Sequence, residues 1–274
     1  MHEGEAAIDD ALVGRLLAQC PDLRGPVRRV RSTGTVNAIY RLGDELCVRL
    51  PRLEPYAGDL VKELEWLPRL NVSLPIPEPV FAGQPDDGFP FPWAVYRWLD
   101  GTPYDGVFDE RAAAETLATF VQELRGHDMT HAPRAGRAPL AELDQLTRPL
   151  VSGAALAAWE RALQAPVWDG ERTWIHADLL RPNVLVRDDA ISAVIDFGAM
   201  GGGDPAHDLI PAWAVFGPIG RAAYRAALDP DDGTWERGRG IALHQAALII
   251  PYYRESNPAF TALAQRTVEQ VIQG

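Results

Sequence analysis

The sequence predicts an α+β fold in two lobes, the first built on an antiparallel sheet and the second mostly helical. Three observations carry this. Short β-like runs crowd the first hundred residues, at Val27–Arg31, Ala38–Leu42, Leu46–Leu50 and Ala94–Leu99. Amphipathic helical spacing dominates the rest, over roughly 109–125, 139–164, 205–216, 219–228, 235–250 and 259–272. Asp100-Gly101 breaks the last of the early strands and places a boundary between residues 1–99 and 100–274.

Taken in order, Ile8, Leu12, Val13, Leu16 and Leu17 share one face of a first helix, which Pro21 closes. Gly43-Asp44 makes a tight turn between two of the strands. Leu60, Leu64, Leu67 and Leu70 form the stripe of a helix over about 60–70. The proline-rich passage from Pro75 to Pro92 excludes a helix and predicts an ordered, extended excursion. One β-like interruption enters the helical half. Val184–Val186 and Ser192–Ile195 flank an Asp188-Asp189 turn and predict an embedded hairpin.

With 274 residues, 47 % of them apolar and 23 % charged, the chain is long enough for two packed lobes with a real core. The net charge is −12 and the pI about 4.9, with no basic face of the kind a nucleic-acid binder shows. An acidic surface favours a cationic partner by raising its local concentration, and it also serves plain solubility. Residues 1–99 carry 11 basic and 14 acidic side chains, net −3, while residues 100–274 carry 15 and 24, net −9. Cys20 and Cys47 fit neither a disulfide framework nor a zinc site, which points to a reducing cytoplasm. Met1 to Asp10 lacks an apolar signal core, and no run approaches eighteen apolar residues. A cytoplasmic monomer away from membranes is the expectation.

The chemistry concentrates between Trp174 and Gly198. Asp178, Asn183 and Asp196 sit at strand ends or in tight loops, and Asn183 and Asp196 flank the predicted hairpin. Carboxylate and amide oxygens are the hard ligands that Mg²⁺ prefers, usually one or two per site beside water and phosphate. Phosphoryl transfer needs such a metal, and a carboxylate to orient the attacking hydroxyl and take its proton. Each of these acids alone reads equally as a cap or turn residue; the set at this spacing reads as a kinase.

The pattern His176-x-Asp178-x-x-x-x-Asn183, followed by Asp196-Phe197-Gly198, resembles the catalytic and metal loops of kinases. Ala177, the Arg181-Pro182-Asn183 ending, Gly203-Asp204-Pro205-Ala206-His207-Asp208-Leu209 and Pro251–Pro258 resemble a narrower group, the aminoglycoside phosphotransferases and their macrolide-modifying relatives. The resemblance implies a protein-kinase-like fold. It implies Asp178 as the catalytic base and Asn183 and Asp196 as holders of Mg²⁺, with His176 supporting the loop. Asp208, near a helix start, reads as structural support of that loop.

The resemblance also implies a nucleotide lobe in residues 1–99. Its phosphate loop would fall on Ser32–Asn37, with Gly34 and Asn37 as contacts; a plain β-turn is an equal reading. Kinases place a lysine on the third strand, paired to a glutamate on the next helix. The chain has a single lysine, Lys62, which is not on that strand, and Arg49 stands in the place instead. A guanidinium grips phosphate with two parallel hydrogen bonds, so the exchange is chemically acceptable. Its helix partner is expected to be Glu63, ahead of Glu65. Tyr96, Arg97 and Trp98 precede the boundary, where relatives present backbone groups to the purine of ATP or GTP.

For the acceptor, the resemblance points to the helical lobe. Acids in Asp100–Glu110, in Asp229–Asp232 and at Glu255 would suit a polyamine-like antibiotic, or are solvated surface. Trp213, Trp235, Tyr252 and Tyr253 would floor a pocket for a macrolide, or are core. The leading reading is a kinase of an aminoglycoside-like antibiotic. A macrolide kinase and a metabolic kinase for a sugar or amino alcohol share the fold. A nucleotide-binding sensor without transfer activity is the reading from another class, and the intact Asp178, Asn183 and Asp196 argue against it. No Ala-Pro-Glu-type anchor follows Asp196-Phe197-Gly198, which argues against a protein kinase.

Overall fold

The computed structural model describes residues 6–30, 36–107 and 109–274; Gly34 of the expected phosphate loop lies outside them. The chain divides into two compact units, Met1–Asn71 with Pro75–Asp100, and Val72–Leu74 with Gly101–Gly274.

The first unit opens with helix α1 (Asp10–Leu16), capped by Asp9, whose carboxylate accepts from Leu12 N at 2.8 Å. Strands β1 (Val27–Arg29), β2 (Asn37–Leu42), β3 (Leu46–Pro51), β4 (Pro79–Gly83) and β5 (Trp93–Arg97) form an antiparallel sheet in the order β1-β2-β3-β5-β4. Along β2, Ala38, Tyr40 and Leu42 turn inward at the period of two, and pack with Leu12, Val13 and Leu16 of α1. Gly43, at φ 63°, supplies the left-handed turn between β2 and β3.

Two features of this unit differ from the sequence expectation. Helix α2 (Glu54–Trp66) starts about six residues earlier than its leucine stripe suggests. Pro55 sits in its first turn, where proline's missing N–H has no helical partner to lose, so it starts the helix instead of breaking it. The proline-rich excursion contains β4, whose place at the sheet edge lets Pro79 open a strand.

The second unit contains β6 (Thr102–Pro103), α3 (Glu110–Arg125), α4 (Asp144–Thr147), α5 (Gly153–Gln164), β7 (Thr173–Ile175), β8 (Val184–Arg187), β9 (Ala190–Val194), β10 (Gly201–Gly203), α6 (Pro211–Ala214), α7 (Pro218–Leu228), α8 (Asp232–Tyr253) and α9 (Pro258–Gln273). The single helix expected over 139–164 is broken. Tight turns at Leu140–Leu143 and Arg148–Leu150 bracket α4, and Gly153 takes φ 54° before α5. Pro149 and the extended Ser152 stop helical propagation there. The helix expected over 205–216 is likewise a tight turn, Pro205–Leu209, followed by α6. Helix α8 runs longer than its apolar pattern. Asp231 caps it by accepting from Thr234 N, and Pro251 lies inside its last turn.

Small sheets position the chemistry. β7 pairs with β10, and β8 pairs with both β6 and β9. Asp188 and Asp189, at φ 52° and 61°, close the β8–β9 hairpin with the two left-handed residues that a tight two-residue turn needs. Trp213 and Trp235 pack against each other at 4.6 Å and are buried, so they belong to the core and floor no pocket; Tyr252 is exposed. Among the described residues, no helix is long and apolar enough to cross a membrane.

Candidate active site

In the second unit, β7 delivers the chain into His176-Ala177-Asp178. His176 and Ala177 donate their backbone N–H groups to the two carboxylate oxygens of Asp208, at 2.9 and 2.8 Å. Asp208 is fully buried, and burial pushes its carboxyl up to about 6. Tyr224 holds the Asp208 backbone through a 2.7 Å hydrogen bond to its carbonyl. Ala177 takes φ 67°, a left-handed conformation that a non-glycine residue keeps only when its surroundings over-determine it.

The His176 ring is buried and bridges two segments. Its Nδ1 faces the N–H of Asp178 at 3.2 Å and its Nε2 the carbonyl of Ile195 at 3.1 Å. An N–H donor on one side and a carbonyl on the other select the neutral tautomer protonated on Nε2. Burial pushes the ring's pKa down to about 4, in keeping with that state. His176 therefore ties the Asp178 loop to the strand leading into Asp196.

Asp178 is the centre of this network. Asn183 Nδ2 donates to its backbone carbonyl at 2.8 Å and to Oδ2 at 3.0 Å. Arg137 donates Nε to Ala177 O at 2.9 Å and a terminal nitrogen to Asp178 Oδ1 at 2.7 Å. Burial pushes Asp178 up to about 6; Arg137 pulls the other way, the Asp196 carboxylate adds to the rise, and the Asn183 bond opposes it. Asp196, at φ 67°, follows the hairpin, and Ile195 N donates to Asn183 O at 2.9 Å. The hairpin thus brings Asn183 and Asp196 side by side, with Asp178 within electrostatic reach.

Arg137 was not legible as a site residue. The segment that carries it lies along β10: Gly202 N donates to Pro133 O at 2.7 Å, Ala135 N to Gly202 O at 3.2 Å, and Gly136 N to Ala199 O at 3.1 Å. A Cβ at Gly201, itself at φ 151°, would stand 2.6 Å from Ala135 N and 2.7 Å from Pro133 O. Gly201 therefore permits this backbone approach. The run Gly201-Gly202-Gly203 is the only trace of it in the sequence.

Both side-chain bonds of Asn183 come from its amide nitrogen, which turns Oδ1 away from Asp178. That oxygen and the Asp196 carboxylate are hard donors that fit Mg²⁺. No group of three or more His, Cys, Asp and Glu among the described residues could hold a metal. A two-donor set is what a metal shared with phosphate oxygens and water requires.

In the first unit, Arg49 on β3 ion-pairs with Glu63 on α2 at 2.6 Å. Glu63 is fully buried and also accepts from Tyr96 Oη on β5 at 3.2 Å. The Arg49 guanidinium lies 5.5 Å from the Tyr96 ring centre, and burial drives the Tyr96 hydroxyl well above its ordinary pKa. The Tyr96 side chain thus buttresses the pair from within the core. Glu65 pairs instead with Arg69, and Lys62 with Asp59. The Trp98 ring stacks under Arg41 at 4.2 Å, and the backbone N–H of Trp98 donates to Glu45 O at 2.7 Å. Asn37 opens β2, with a buried Oδ1 that has no hydrogen-bond partner among the described residues.

The model of the phosphotransferase enzyme family matches residues 27–241. The fold is that of solved aminoglycoside and macrolide phosphotransferases. The GDP complex of wild-type aminoglycoside 2'-phosphotransferase-IIIa is 20 % identical, over 96 % of this chain and 98 % of that one, with a TM-score of 0.74. The GDP and kanamycin complex of APH(2")-IIia has the same identity and coverage and a TM-score of 0.76. The macrolide 2'-phosphotransferase MphH from Brachybacterium faecium, as apoenzyme, is 20 % identical over 96 % and 98 %, with a TM-score of 0.64. No curated protein sequence matches the chain. A family match across most of the chain, on a fold shared from end to end, makes this protein a kinase belonging to the phosphotransferase enzyme family.

Proposed function

We propose that this enzyme transfers the γ-phosphate of ATP or GTP to a hydroxyl of an aminoglycoside-like antibiotic, with Asp178 as the base. The observation that carries the reading is the meeting of Asp178, Asn183 and Asp196 at the two ends of one hairpin. Asp178 accepts a hydrogen bond from the acceptor hydroxyl and takes its proton as the phosphate arrives. A carboxyl pushed up to about 6 is ionised at pH 7, yet still basic enough to remove a proton in the transition state. Arg137 and Asn183 hold one carboxylate oxygen each and fix its orientation. Asn183 and Asp196 would hold Mg²⁺, which supplies positive charge against the phosphate oxygens when bound. Arg49, kept in place by Glu63 and Tyr96, steadies the nucleotide phosphates; Asn37 and Gly34, the latter outside the described residues, are the further phosphate contacts of this reading. Residues 1–99 act as the nucleotide lobe and 100–274 as the catalytic and acceptor lobe.

The acceptor class rests on two supports. The relatives' complexes hold kanamycin or gentamicin, and residues 100–274 carry a net −9 that attracts a polycation. The test is a nucleotide-consumption screen with ATP and with GTP, with and without Mg²⁺, against aminoglycosides, macrolides, sugars and amino alcohols. Acceptor-dependent turnover with an aminoglycoside, lost on chelation, is the expected result. Turnover with a macrolide or sugar alone moves the acceptor class. Tight nucleotide binding with no turnover on any of them favours the sensor reading.

A further inference from the structure

A cavity of about 250 Å³ lies in the second unit beside β10, the end of α5 and the segment that carries Arg137. Arg134, Arg137, Arg172 and Arg237 line it, with Asp204 as the one carboxylate. Two of these arginines are already matched. Arg237 pairs with both oxygens of Asp204, at 2.8 and 3.1 Å, and donates to Pro166 O at 2.9 Å. Arg137 is held by Asp178 and Ala177 O. Arg134 and Arg172 make no side-chain hydrogen bond or ion pair among the described residues. Two of the four arginines that border the cavity therefore have no acid partner among the described residues.

The rest of the lining is mainly apolar, with Leu140, Leu163, Trp168 and Ile175 prominent. His207 also borders it; it is 4 % exposed, and burial pushes its imidazole down to about 4, so the ring is neutral at pH 7 and adds no charge to the cavity. The backbone around Arg134 is pinned to β10 by the three hydrogen bonds already described, so the site is built on fixed chain.

We propose that this cavity binds a small amphipathic oxyanion, a carboxylate or phosphate ester carried on an apolar ring. Arg134 and Arg172 grip the oxyanion through their planar donor forks. The ring lies against Leu163 and Trp168. The ligand and the site are separate from the phosphate transfer, and the binding stands or falls without it. Arg137 nevertheless faces both the cavity and Asp178, so an occupant shares a guanidinium with that acid.

The test is calorimetric titration of the full chain, without nucleotide, with benzoate, phenyl phosphate, benzamide and inorganic phosphate. Benzoate or phenyl phosphate binds at least about tenfold more tightly than benzamide or inorganic phosphate, since a hydrogen-bonded charge is worth that much. Whichever of the two binds tighter names the oxyanion. The double variant Arg134→Gln/Arg172→Gln loses that tenfold. Both positions are exposed, so its fold is preserved. The same titration with ATP at saturation gives the same affinity, which separates this site from the nucleotide phosphates. Benzamide binding as well as benzoate, inorganic phosphate binding as well as phenyl phosphate, or a double variant that binds like the parent would each overturn the proposal.

Discussion

Asp208 Oδ1 accepts a hydrogen bond from the backbone N–H of Ala177 at 2.8 Å, across 31 positions of sequence. Ala177 is held at φ 67°, and the adjacent His176 N–H occupies the other oxygen of the same carboxylate. A fully buried acid that receives two backbone N–H groups is a clamp, and its target is the residue next to Asp178. Replacing Asp208 with alanine leaves two buried N–H groups without acceptors and releases a left-handed residue. The expected loss is about 2–5 kcal/mol of stability, with transfer activity falling further than the folded fraction. Denaturant unfolding beside activity at equal folded protein reads both. An Asp208→Ala variant of parental stability would remove the clamp.

Arg137 gives a prediction in pH. As the proposed base Asp178 would act unprotonated, and its carboxyl lies near 6, pushed up by burial and pulled back by Arg137. Activity should therefore fall as pH drops through about 6. Arg137→Gln removes that pull, raises the carboxyl, and moves the acid limb of the kcat/KM profile to higher pH. The variant should be weakest against the parent near pH 6 and should recover ground by pH 8. Arg137→Lys should shift the limb less, because it keeps the charge and loses the second hydrogen bond. A uniform loss at all pH values would assign Arg137 a purely structural role.

The Arg49–Glu63 pair is buried on the glutamate side and 12 % exposed on the arginine side. Arg49→Ala strands a buried carboxylate beside the Tyr96 hydroxyl and should lower stability by about 3–5 kcal/mol. Arg49→Lys keeps the charge and should keep most of that stability, with nucleotide KM raised through loss of the planar fork. Thermal unfolding and nucleotide titration on the two variants separate the effects. Equal nucleotide affinity in Arg49→Ala and the parent would remove Arg49 from the phosphate grip.

At Gly201 any side chain meets backbone, with Ala135 N at 2.6 Å, Arg134 C at 2.7 Å and Pro133 O at 2.7 Å. Backbone cannot swing aside as a flexible side chain can, so Gly201→Ala must displace the segment leading to Arg137. A loss of about 1–3 kcal/mol is expected, together with the same pH shift as Arg137→Gln. Parental stability with a parental pH profile would show that the segment tolerates displacement.

The contrast between these sites shows what a sequence carries. The clustering of Asp178, Asn183 and Asp196 was legible because their spacing is local: five residues and one hairpin separate them, and Asp188-Asp189 announces the turn. The Arg49–Glu63 pair was legible because a strand and the helix after it put one cation near one acid fourteen positions on. Arg137 reaches Asp178 across 41 positions, through a segment with no periodicity that lies on β10 because Gly201 lets it. No local rule encodes that approach. Helix limits failed where proline has two meanings. Pro55 starts α2, while Pro149 helps to break the helix expected over 139–164. Trp213 and Trp235 read as pocket or core alike until their mutual packing and burial assigned them to the core.

The role proposed for Asp178, the base of a phosphate transfer, rests on the basicity of its carboxylate. The most direct measurement pairs single-turnover transfer with nucleotide binding in an Asp178→Asn variant, which keeps the shape of the side chain and removes its basicity. Transfer should fall by about 10²–10⁴-fold with nucleotide affinity close to that of the parent. A variant that keeps a tenth or more of the parental transfer rate while binding nucleotide normally would contradict it.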